Sequence, residues 1–311
     1  MINMLRTIEN VNIKHVGWLV KIKFNISEKV EINGKYIPKI GGSPTTQLRA
    51  DITNEMLQGV KAIPSGGFQV GYIDTIVFVD TAGTERDSVT LTDFPVYPNT
   101  VTSNYEISGS QLKVKGQITA TASYSVQKVR LKAGNKLYFE YTLSTTQPVS
   151  SGSVYNVVYT IQFSATDTSS GTDASAFLAD FNILVKRLAG VMAVSGGTHF
   201  TWKDSANNVV YLYLTTKDIL LSSTTTTDTI TITSLTSDNS QASSYLVIIK
   251  GTFTPSSNYS GLSWYVQLRF FPTISTTSYT PSPDSFGMFQ WKRAMDFSAG
   301  VGYTLILNIQ W

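Results

Sequence analysis

The sequence predicts an all-β protein: two tandem antiparallel β-sandwich or jelly-roll modules, each opened by a short helix, after an N-terminal β-hairpin segment. Three observations predict this class. Short stretches that alternate apolar and polar residues recur along the chain, as half-buried strands do. Only 14% of the residues are charged, and Ser, Thr, Tyr and Asn, which are common in strands and turns, replace them. The strand-like stretch 155–163 recurs at the end of the chain as 303–311.

Residues 1–48 form the first predicted unit, a basic β-segment with seven basic and three acidic residues. Asn33-Gly34 separates two short runs of β-forming residues, and Asn-Gly in that position is a strong hairpin signal. We expect the segment to act as an arm that reaches a neighbouring subunit or nucleic acid, with Lys21, Lys23 and Lys29 as contact residues. The alternative is a strand face that only meets solvent.

Residues 49–170 and 171–311 are predicted to be two copies of one β-sandwich module. Each copy opens with a helix, predicted over 51–57 in the first and over 173–189 in the second, where Gly190 is the stop signal. Short motifs then recur in the same order. The matched motifs are Asp87-Ser88-Val89-Thr90 with Asp228-Thr229-Ile230-Thr231, Lys115-Gly116-Gln117-Ile118 with Lys250-Gly251-Thr252-Phe253, and Val126-Gln127 with Val266-Gln267.

Strands and loops alternate within the two modules. The alternating patterns predict strands at 75–79, 112–119, 137–143, 209–214, 245–252 and 264–270. The Ser/Thr-rich stretches 164–172 and 222–227 are predicted to be loops. Many short strands separated by turn residues are typical of antiparallel sandwiches and jelly rolls.

Composition excludes several classes of chemistry. The 311 residues include no cysteine, which excludes disulfides, Cys-ligated zinc and thiol catalysis. The two histidines, His15 and His199, do not form a metal-binding pair in the sequence. No apolar run is long enough to predict a membrane span, and the apolar cluster 16–20 is too short for a secretory signal. We therefore expect a non-enzymatic protein without cofactor or metal, released, if it leaves a cell, by a route such as lysis.

One stretch imitates a nucleotide-binding motif. Asp80-Thr81-Ala82-Gly83 has the D-x-x-G pattern of a GTPase switch. That switch needs an upstream G-x-x-x-x-G-K-[ST] loop, whose backbone N–H groups and lysine hold the phosphates, and the sequence contains none. We interpret Asp80 to Gly83 as a turn that ends a strand.

Tryptophans are concentrated in the second module. Four of the five, Trp202, Trp264, Trp291 and Trp311, lie there. We expect them in the core or at a subunit interface, where they would be partner-contact residues. If they were exposed, their rings could instead stack on sugars.

A set of motifs carries a resemblance to a known group of proteins. The stretches are Thr53-Asn54-Glu55-Met56-Leu57, Val126-Gln127-Lys128-Val129-Arg130-Leu131, Leu137-Tyr138-Phe139-Glu140-Tyr141 and 155–163, with 264–271, 288–295 and 303–311 in the second copy. They resemble a β-module of tail and tail-fibre-associated proteins of bacterial and archaeal viruses. Its motifs are T-N-x-x-L, then an I-x-E-V-G-L-F-like strand, L-x-x-R-x-x-F, and a final L-x-V-x-Y-T-I-x-[IF]. Gln127-Lys128-Val129 and Gln267-Leu268-Arg269 replace its Glu-Val-Gly centre.

The resemblance implies a virion protein with a structural role. It implies a subunit of a tail, nozzle or vertex (adaptor) assembly, which would form a ring with copies of itself and contact other virion proteins. An alternative is a double jelly-roll major capsid protein, because two similar barrels per chain make pseudo-hexagonal trimers. A third alternative, of another class, is a carbohydrate-binding adhesin or receptor-binding protein that uses the tryptophans of the second copy.

Overall fold

The structure, a computed structural model, describes residues 19–57, 70–96, 99–168, 177–191, 201–203, 209–211, 216–238, 245–270 and 289–310. Within these residues the protein is built of β-strands with two short helices, so the predicted all-β class is confirmed. The elements up to residue 168 are β1 (Leu19–Ile32), β2 (Lys35–Ile37), β3 (Lys39–Gly41), α1 (Thr46–Leu57), β4 (Thr75–Asp80), β5 (Glu85–Thr90), β6 (Tyr105–Ser108), β7 (Gln111–Thr119), β8 (Tyr124–Ala133), β9 (Lys136–Val149) and β10 (Val154–Asp167).

We call the elements from β3 to β10 the first half of the protein and the described residues from 177 onward the second half. Its elements are β11 (Leu178–Ala179), α2 (Asn182–Leu188), β12 (Thr201–Lys203), β13 (Val209–Tyr211), β14 (Thr216–Ser223), β15 (Thr229–Ile232), β16 (Ser234–Asp238), β17 (Leu246–Phe253), β18 (Tyr259–Phe270), β19 (Phe289–Phe297) and β20 (Tyr303–Gln310). Neither described helix has the length and apolar character that crossing a bilayer requires.

One eight-stranded sheet runs through both halves. Its order is β16-β17-β20-β1-β10-β7-β6, and β2 pairs with β1 as the eighth strand. The N-terminal strand β1 is central in this sheet, antiparallel to β10 and parallel to β20. The two strands that the sequence identifies as copies of each other therefore flank the same strand.

A five-stranded sheet belongs to each half. The orders are β3-β9-β8-β4-β5 in the first half and β11-β19-β18-β14-β15 in the second, and β12 and β13 form a separate hairpin. In each half the chain makes a hairpin in the five-stranded sheet, a hairpin in the eight-stranded sheet, another in the five-stranded sheet, and then a last strand in the eight-stranded sheet. The two halves thus follow the same order of strand pairing.

The last strands also pair in the same register in both halves. Tyr155 of β10 lies opposite Ile118 of β7, and Tyr303 of β20 lies opposite Phe253 of β17. These are the partners that the Lys-Gly motif predicts. The Val126/Val266 match is different. In the pairing of β8 with β4, the position that corresponds to Val266 of β18 is held by Leu131 and not by Val126. That match is wrong, because a two-residue motif is too short to fix a register across two β-bulges.

The core lies between the sheets and follows the period-2 pattern of the strands. Along β20 the inward residues Tyr303, Leu305, Leu307 and Ile309 are buried, while the residues between them are not. The same alternation runs along β10. Because side chains of a strand point alternately to its two faces, each strand contributes every second residue to the core. The buried residues of both halves belong to one continuous cluster.

Five phenylalanines pack where the halves meet. The ring of Phe24 on β1 lies 5.2 Å from Phe181 and 5.4 Å from Phe289, both edge-on. Phe163 of β10 lies 5.7 Å from Phe181, and Phe177 stacks on Phe289 at 6.2 Å. Edge-on and offset contacts of this kind stabilise aromatic pairs beyond the burial of their area. We call this set the junction cluster.

The structure contains the predicted hairpin and both predicted helices, but the helices have different bounds. The Asn33-Gly34 turn is confirmed: both residues have positive φ, 51° and 75°, as a type I′ turn requires, and Val30 to Ile32 pair with 35–37. Helix α1 begins at Thr46, before the predicted start at 51. Helix α2 is confirmed only over 182–188, and part of its predicted start lies outside the described residues. The helix ends before Gly190, which has a φ of 65°.

One predicted loop is partly strand. Residues 164–167 were expected in a loop, but they continue β10 and pair with Ile22 to Asn25 of β1.

Strand β1 continues through the polar residues Ser27 and Glu28. Glu28 has a fully buried side chain that accepts hydrogen bonds from Lys39 and from the Tyr159 hydroxyl. These contacts, which come from distant strands, hold a polar residue inside β1.

Candidate assembly surfaces

A broad surface of the fold is the side of the eight-stranded sheet that faces away from the core, which we call the outer face. Seven strands lie side by side in this sheet, and at about 4.8 Å between neighbours they give it a width of roughly 29 Å, enough for a standard protein–protein interface. Its described side chains are Lys23, Asn25, Ser27, Lys29 and Glu31 of β1, Asn156, Val158, Thr160, Gln162, Ser164 and Thr166 of β10, Gln111, Lys113, Lys115 and Gln117 of β7, Glu106 of β6, and Thr252, Lys250, Thr304, Ile306 and Asn308 of β17 and β20.

Amide side chains order part of this face. Gln117 donates to Asn156 on the neighbouring strand at 2.9 Å, and Gln111 donates to Gln162 at 3.3 Å. Cross-strand pairs of this kind hold the side chains in fixed positions. An ordered polar surface has less side-chain entropy to lose when a partner covers it.

The outer face has more positive than negative side chains. The list above contains five lysines and two glutamates. Two of the lysines are paired: Lys29 with Glu31 at 2.6 Å and Lys113 with Glu106 at 2.6 Å. Exposed ion pairs such as these contribute little stability, so their main effect is on the distribution of charge that a binding partner would contact.

The predicted lysine contacts lie on this face rather than on an arm. Lys23 and Lys29 are exposed on β1, and Lys29 also lies 5.3 Å over the ring of Tyr36. Lys21 pairs with Asn308 through β1 and β20, and its side chain lies outside what the structure describes. The expectation of a free arm is corrected for residues 19–32, because β1 pairs along its length with β10 and at its start with β20.

The predicted tryptophan contacts divide into two groups. Trp264 and Trp291 are fully buried by this chain and present no surface to a partner, which corrects the expectation of partner contact for these two residues. Trp264 packs edge-on against Tyr259 at 5.1 Å and donates its indole N–H to the carbonyl of Met295 at 3.2 Å. The side chain of Trp202 in β12, and the whole of Trp311, lie outside the described residues.

Exposed apolar side chains lie on corresponding edge strands of the two halves. Ile40 on β3 is 68% exposed, and Leu178 on β11 is 51% exposed. β3 and β11 occupy the same end position in their five-stranded sheets, next to β9 and β19. An edge strand that carries a large apolar residue offers backbone hydrogen bonds and apolar area together, which is what a pairing partner needs. Neither residue is predicted from the sequence, because each lies in a short strand without a long alternating pattern.

A cluster of ionisable groups, most of them buried, connects the two helices. Glu55 of α1 and Arg187 of α2 are each 1% exposed and lie 3.5 Å apart. Both also bond the backbone of Val70: its N–H donates to Glu55 at 2.9 Å, and Arg187 donates to its carbonyl at 2.9 Å. One turn earlier on α1, Asp51 accepts from Lys136 and from the hydroxyl of Tyr138, both at 2.7 Å.

This cluster is arranged to connect elements rather than to act on a substrate. Burial is the main reason why the pKa of the Tyr138 hydroxyl is raised. The hydrogen bond from the Gly71 N–H lowers this pKa and the Asp51 carboxylate raises it, and the net effect is a rise. The hydroxyl therefore stays protonated and donates to Asp51. Every carboxylate of the cluster is buried and already accepts a hydrogen bond. Among the described residues no three potential ligands come together in a way that could hold a metal ion.

A second set of charges lies on the outer side of the first five-stranded sheet. Glu140 of β9 accepts from Lys128 at 2.8 Å and pairs with Arg130 at 2.7 Å, and Glu85 pairs with Arg130 and Lys132. Burial alone would raise the pKa of Glu140, but the hydrogen bonds from Lys128 and Arg130 outweigh it, so the pKa lies below the usual range. With two glutamates and three basic residues, this set has a smaller excess of positive charge than the outer face of the larger sheet.

The Asp80 stretch is a turn, as predicted. Asp80 ends β4, and one of its carboxylate oxygens accepts the N–H groups of Ala82 and Thr84, both at 2.9 Å. Gly83 has φ 84°, a conformation that favours glycine. The carboxylate is occupied by its own turn and by Arg86 at 2.6 Å.

Compared with models of protein families, with characterised proteins and with solved structures, the chain matches none of them.

Proposed function

We propose that this protein is a non-enzymatic structural subunit of a virus particle, located in the virion as part of a tail, nozzle or vertex adaptor assembly. The observation that carries the proposal is the pair of exposed apolar edge residues, Ile40 and Leu178, on corresponding strands of the two halves. A chain that presents equivalent edges at two places can contact neighbours on both sides, which is what a closed ring requires. The motifs that resemble those of viral tail and tail-fibre-associated proteins support the same role.

We also infer that the two halves are tandem copies of one β-sandwich module of the jelly-roll type, with the N-terminal strand shared between them. The identical order of strand pairing and the matching register of Tyr155 and Tyr303 support duplication. Such duplication would place two similar contact edges on each chain.

The partners in this proposal are other copies of the chain and other virion proteins. The outer face supports such contacts because it is wide and ordered by amide pairs. Its excess of lysine also suits an acidic neighbour, including nucleic acid. Salt would then weaken the contact, since exposed charges are screened.

A double jelly-roll capsid protein is the second candidate. The shared strand order of the two halves favours it, because two similar modules per chain allow three chains to form six near-equivalent lobes. The carbohydrate-binding alternative has less support, since Trp264 and Trp291, two of its four proposed stacking rings, are buried.

The experiment that tests the proposal is light scattering on the purified protein across a dilution series. A hexamer or dodecamer that survives dilution is the expected result for a tail or vertex ring. A stable trimer would favour the capsid candidate instead. A monomer at every concentration would contradict self-assembly of the isolated chain.

A further inference from the structure

The eight-stranded sheet is symmetric about β1. β10, β7 and β6 follow on one side of β1, and their counterparts β20, β17 and β16 follow on the other. β10 runs antiparallel to β1 and β20 runs parallel to it, so these two counterparts have opposite directions. A twofold rotation about an axis perpendicular to the sheet exchanges strands in this way, as in a symmetric dimer. The sheet therefore has an approximate twofold axis, and that axis crosses β1.

The register places this axis at Asn25, which is exposed on the outer face. Val158 of β10 and Ile306 of β20 are equivalent, because each lies opposite the lysine of a Lys-Gly motif. Val158 lies opposite Glu31 of β1, and Ile306 lies opposite Leu19. Glu31 and Leu19 are equally far from Asn25 along β1, in opposite directions.

The two helices follow the same symmetry. α1 packs against β9 of its own half and against β17 on the other side of the axis. α2 packs against β6 and β7 of the first half, and Phe181, its N-cap residue, contacts Phe289 of β19 at 6.0 Å. Each helix thus connects the five-stranded sheet of its own half to the far side of the large sheet. The two sides of the outer face are therefore held as one surface.

The lysines of the outer face lie along one diagonal that crosses this axis. Lys115 is at one end, and Lys250, its twofold equivalent, is at the other. With about 4.8 Å between strands and about 3.3 Å per residue along a strand, the Cα atoms of these two lysines lie roughly 45 Å apart. The remaining lysines of the face lie within about 6 Å of the line between them: Lys23, Lys29 and Lys113. We call these five residues the basic stripe.

Duplex nucleic acid fits the basic stripe in charge, length and symmetry. A duplex carries one phosphate charge per ~1.7 Å of its axis, and the ~45 Å of the stripe corresponds to about 13 base pairs. A duplex also has twofold axes perpendicular to its length. Lysines on the two sides of Asn25 can therefore contact phosphates of the two nucleic-acid strands in equivalent ways.

The scarcity of aromatic side chains on this face favours a duplex over a single strand. Proteins that bind single strands stack the bases on aromatic rings. Tyr36, opposite Glu31 on β2, is the only aromatic side chain that the structure describes on the outer face. Contacts to phosphates need no such ring and do not depend on base sequence.

We propose that the basic stripe binds the phosphate backbone of duplex nucleic acid and that one duplex crosses both halves of the chain. The cross-strand amide pairs beside the lysines reduce the side-chain freedom that binding must remove. A duplex partner rests on the proposed function for its setting, a virus particle, whereas the site itself depends only on the described residues.

Fluorescence anisotropy with a mixed-sequence DNA duplex of about 16 base pairs, which is longer than the stripe, tests the proposal. We expect binding at about 50 mM salt that weakens about tenfold or more at about 200 mM, because each lysine–phosphate contact releases counterions. A single strand of the same length should bind more weakly than the duplex.

Lys115→Ala and Lys250→Ala change equivalent positions on the two sides of the axis. Each should weaken duplex binding about threefold or more and make its salt dependence less steep, since each removes one phosphate contact. The matched control is Lys35→Ala, which should change binding by less than about twofold. Lys35 is exposed, but it lies opposite the core residue Ile32 of β1, so its side chain belongs to the other side of the sheet.

Every other outcome overturns a stated part of the proposal. No duplex binding at low salt, or tighter binding of the single strand, would overturn it as a whole. Binding only to vesicles that contain phosphatidylserine would overturn it in favour of a membrane surface. Equal losses in Lys35→Ala and Lys115→Ala would overturn the assignment to the basic stripe. A loss confined to one of the two equivalent variants would overturn the crossing of both halves.

Light scattering on the same samples separates duplex binding from self-assembly. A protein that assembles but does not bind the duplex would overturn duplex binding alone. A monomer that binds the duplex would contradict only the proposed assembly.

Discussion

At the scale of single residues, the buried pair of Glu55 and Arg187 connects the helices that open the two halves. Each side chain is 1% exposed and also bonds the backbone of Val70. Removing one member leaves the other charge buried without its partner, which typically costs about 3–5 kcal/mol. We therefore expect Arg187→Met to lower the free energy of unfolding by about that amount, measured by chemical denaturation.

The double variant of Glu55→Gln with Arg187→Met is the control for this pair. Since it leaves no uncompensated charge, it should be more stable than Arg187→Met alone. A cost below about 1 kcal/mol for the single variant would mean that the pair is not an important connection between the helices.

The glutamate network on the first five-stranded sheet gives a prediction about pH. Glu140 has a pKa below its usual range in the folded protein, because the hydrogen bonds from Lys128 and Arg130 outweigh the effect of burial. A lowered folded-state pKa adds stability above the usual glutamate range, and that stability is lost as the pH falls through the lowered pKa. Wild-type protein should therefore lose more stability on acidification than the Glu140→Gln variant does. Equal losses at low salt would contradict this account.

At the scale of elements, β1 is the strand that both halves share, and Phe24 anchors it in the junction cluster. We expect Phe24→Ala to cost about 3–5 kcal/mol, because it removes a buried ring that joins β1 to two aromatic rings of the second half. Lys23→Ala, on the exposed side of the same strand, should change stability by about 0.5 kcal/mol or less.

The cooperativity of unfolding extends this prediction. Trp264 and Trp291 are buried in the second half, so their fluorescence reports on that half, whereas circular dichroism reports on all strands. If β1 holds the halves together, the two signals should change at the same denaturant concentration in wild-type protein. Separate transitions would show that the halves unfold independently.

Local elements could be predicted from the sequence, but the pairing of each strand with its neighbours in the sheet could not. The Asn33-Gly34 hairpin and the end of α2 before Gly190 follow from residues that favour positive φ, which is a local property. The position of β1 between β10 and β20 depends on pairing with strands far along the chain, which an alternating pattern does not encode. The Glu55–Arg187 pair was missed for the same reason.

The aromatic residues of the second half show a further limit of sequence reasoning. The composition identifies a concentration of tryptophan but does not distinguish a core ring from an exposed one, since both are compatible with a strand. The structure buries Trp264 and Trp291, and it exposes Ile40 and Leu178, which no motif had singled out. Exposure depends on which strand lies at the edge of its sheet, and that is a property of the assembled sheet.

At the scale of the whole molecule, the proposed assembly depends on the edges of the two five-stranded sheets. Ile40→Lys together with Leu178→Lys should weaken self-association at least tenfold, because charged edge residues prevent strand pairing. Both residues are exposed, so the stability of the monomer should change by about 0.5 kcal/mol or less per substitution. Val101→Lys, which changes another exposed apolar residue away from these strands, is the matched control. Light scattering measures the association and chemical denaturation the stability.

The measurement that tests the assembly claim most directly is hydrogen exchange compared at low and high protein concentration. An edge strand has backbone amides without a partner in the monomer, and these become protected when a neighbour pairs with them. We predict that exchange in β3 and β11 slows as concentration rises, while exchange in β10, a strand already paired on both sides, stays the same. Exchange in β3 and β11 that does not depend on concentration would contradict assembly through these edges.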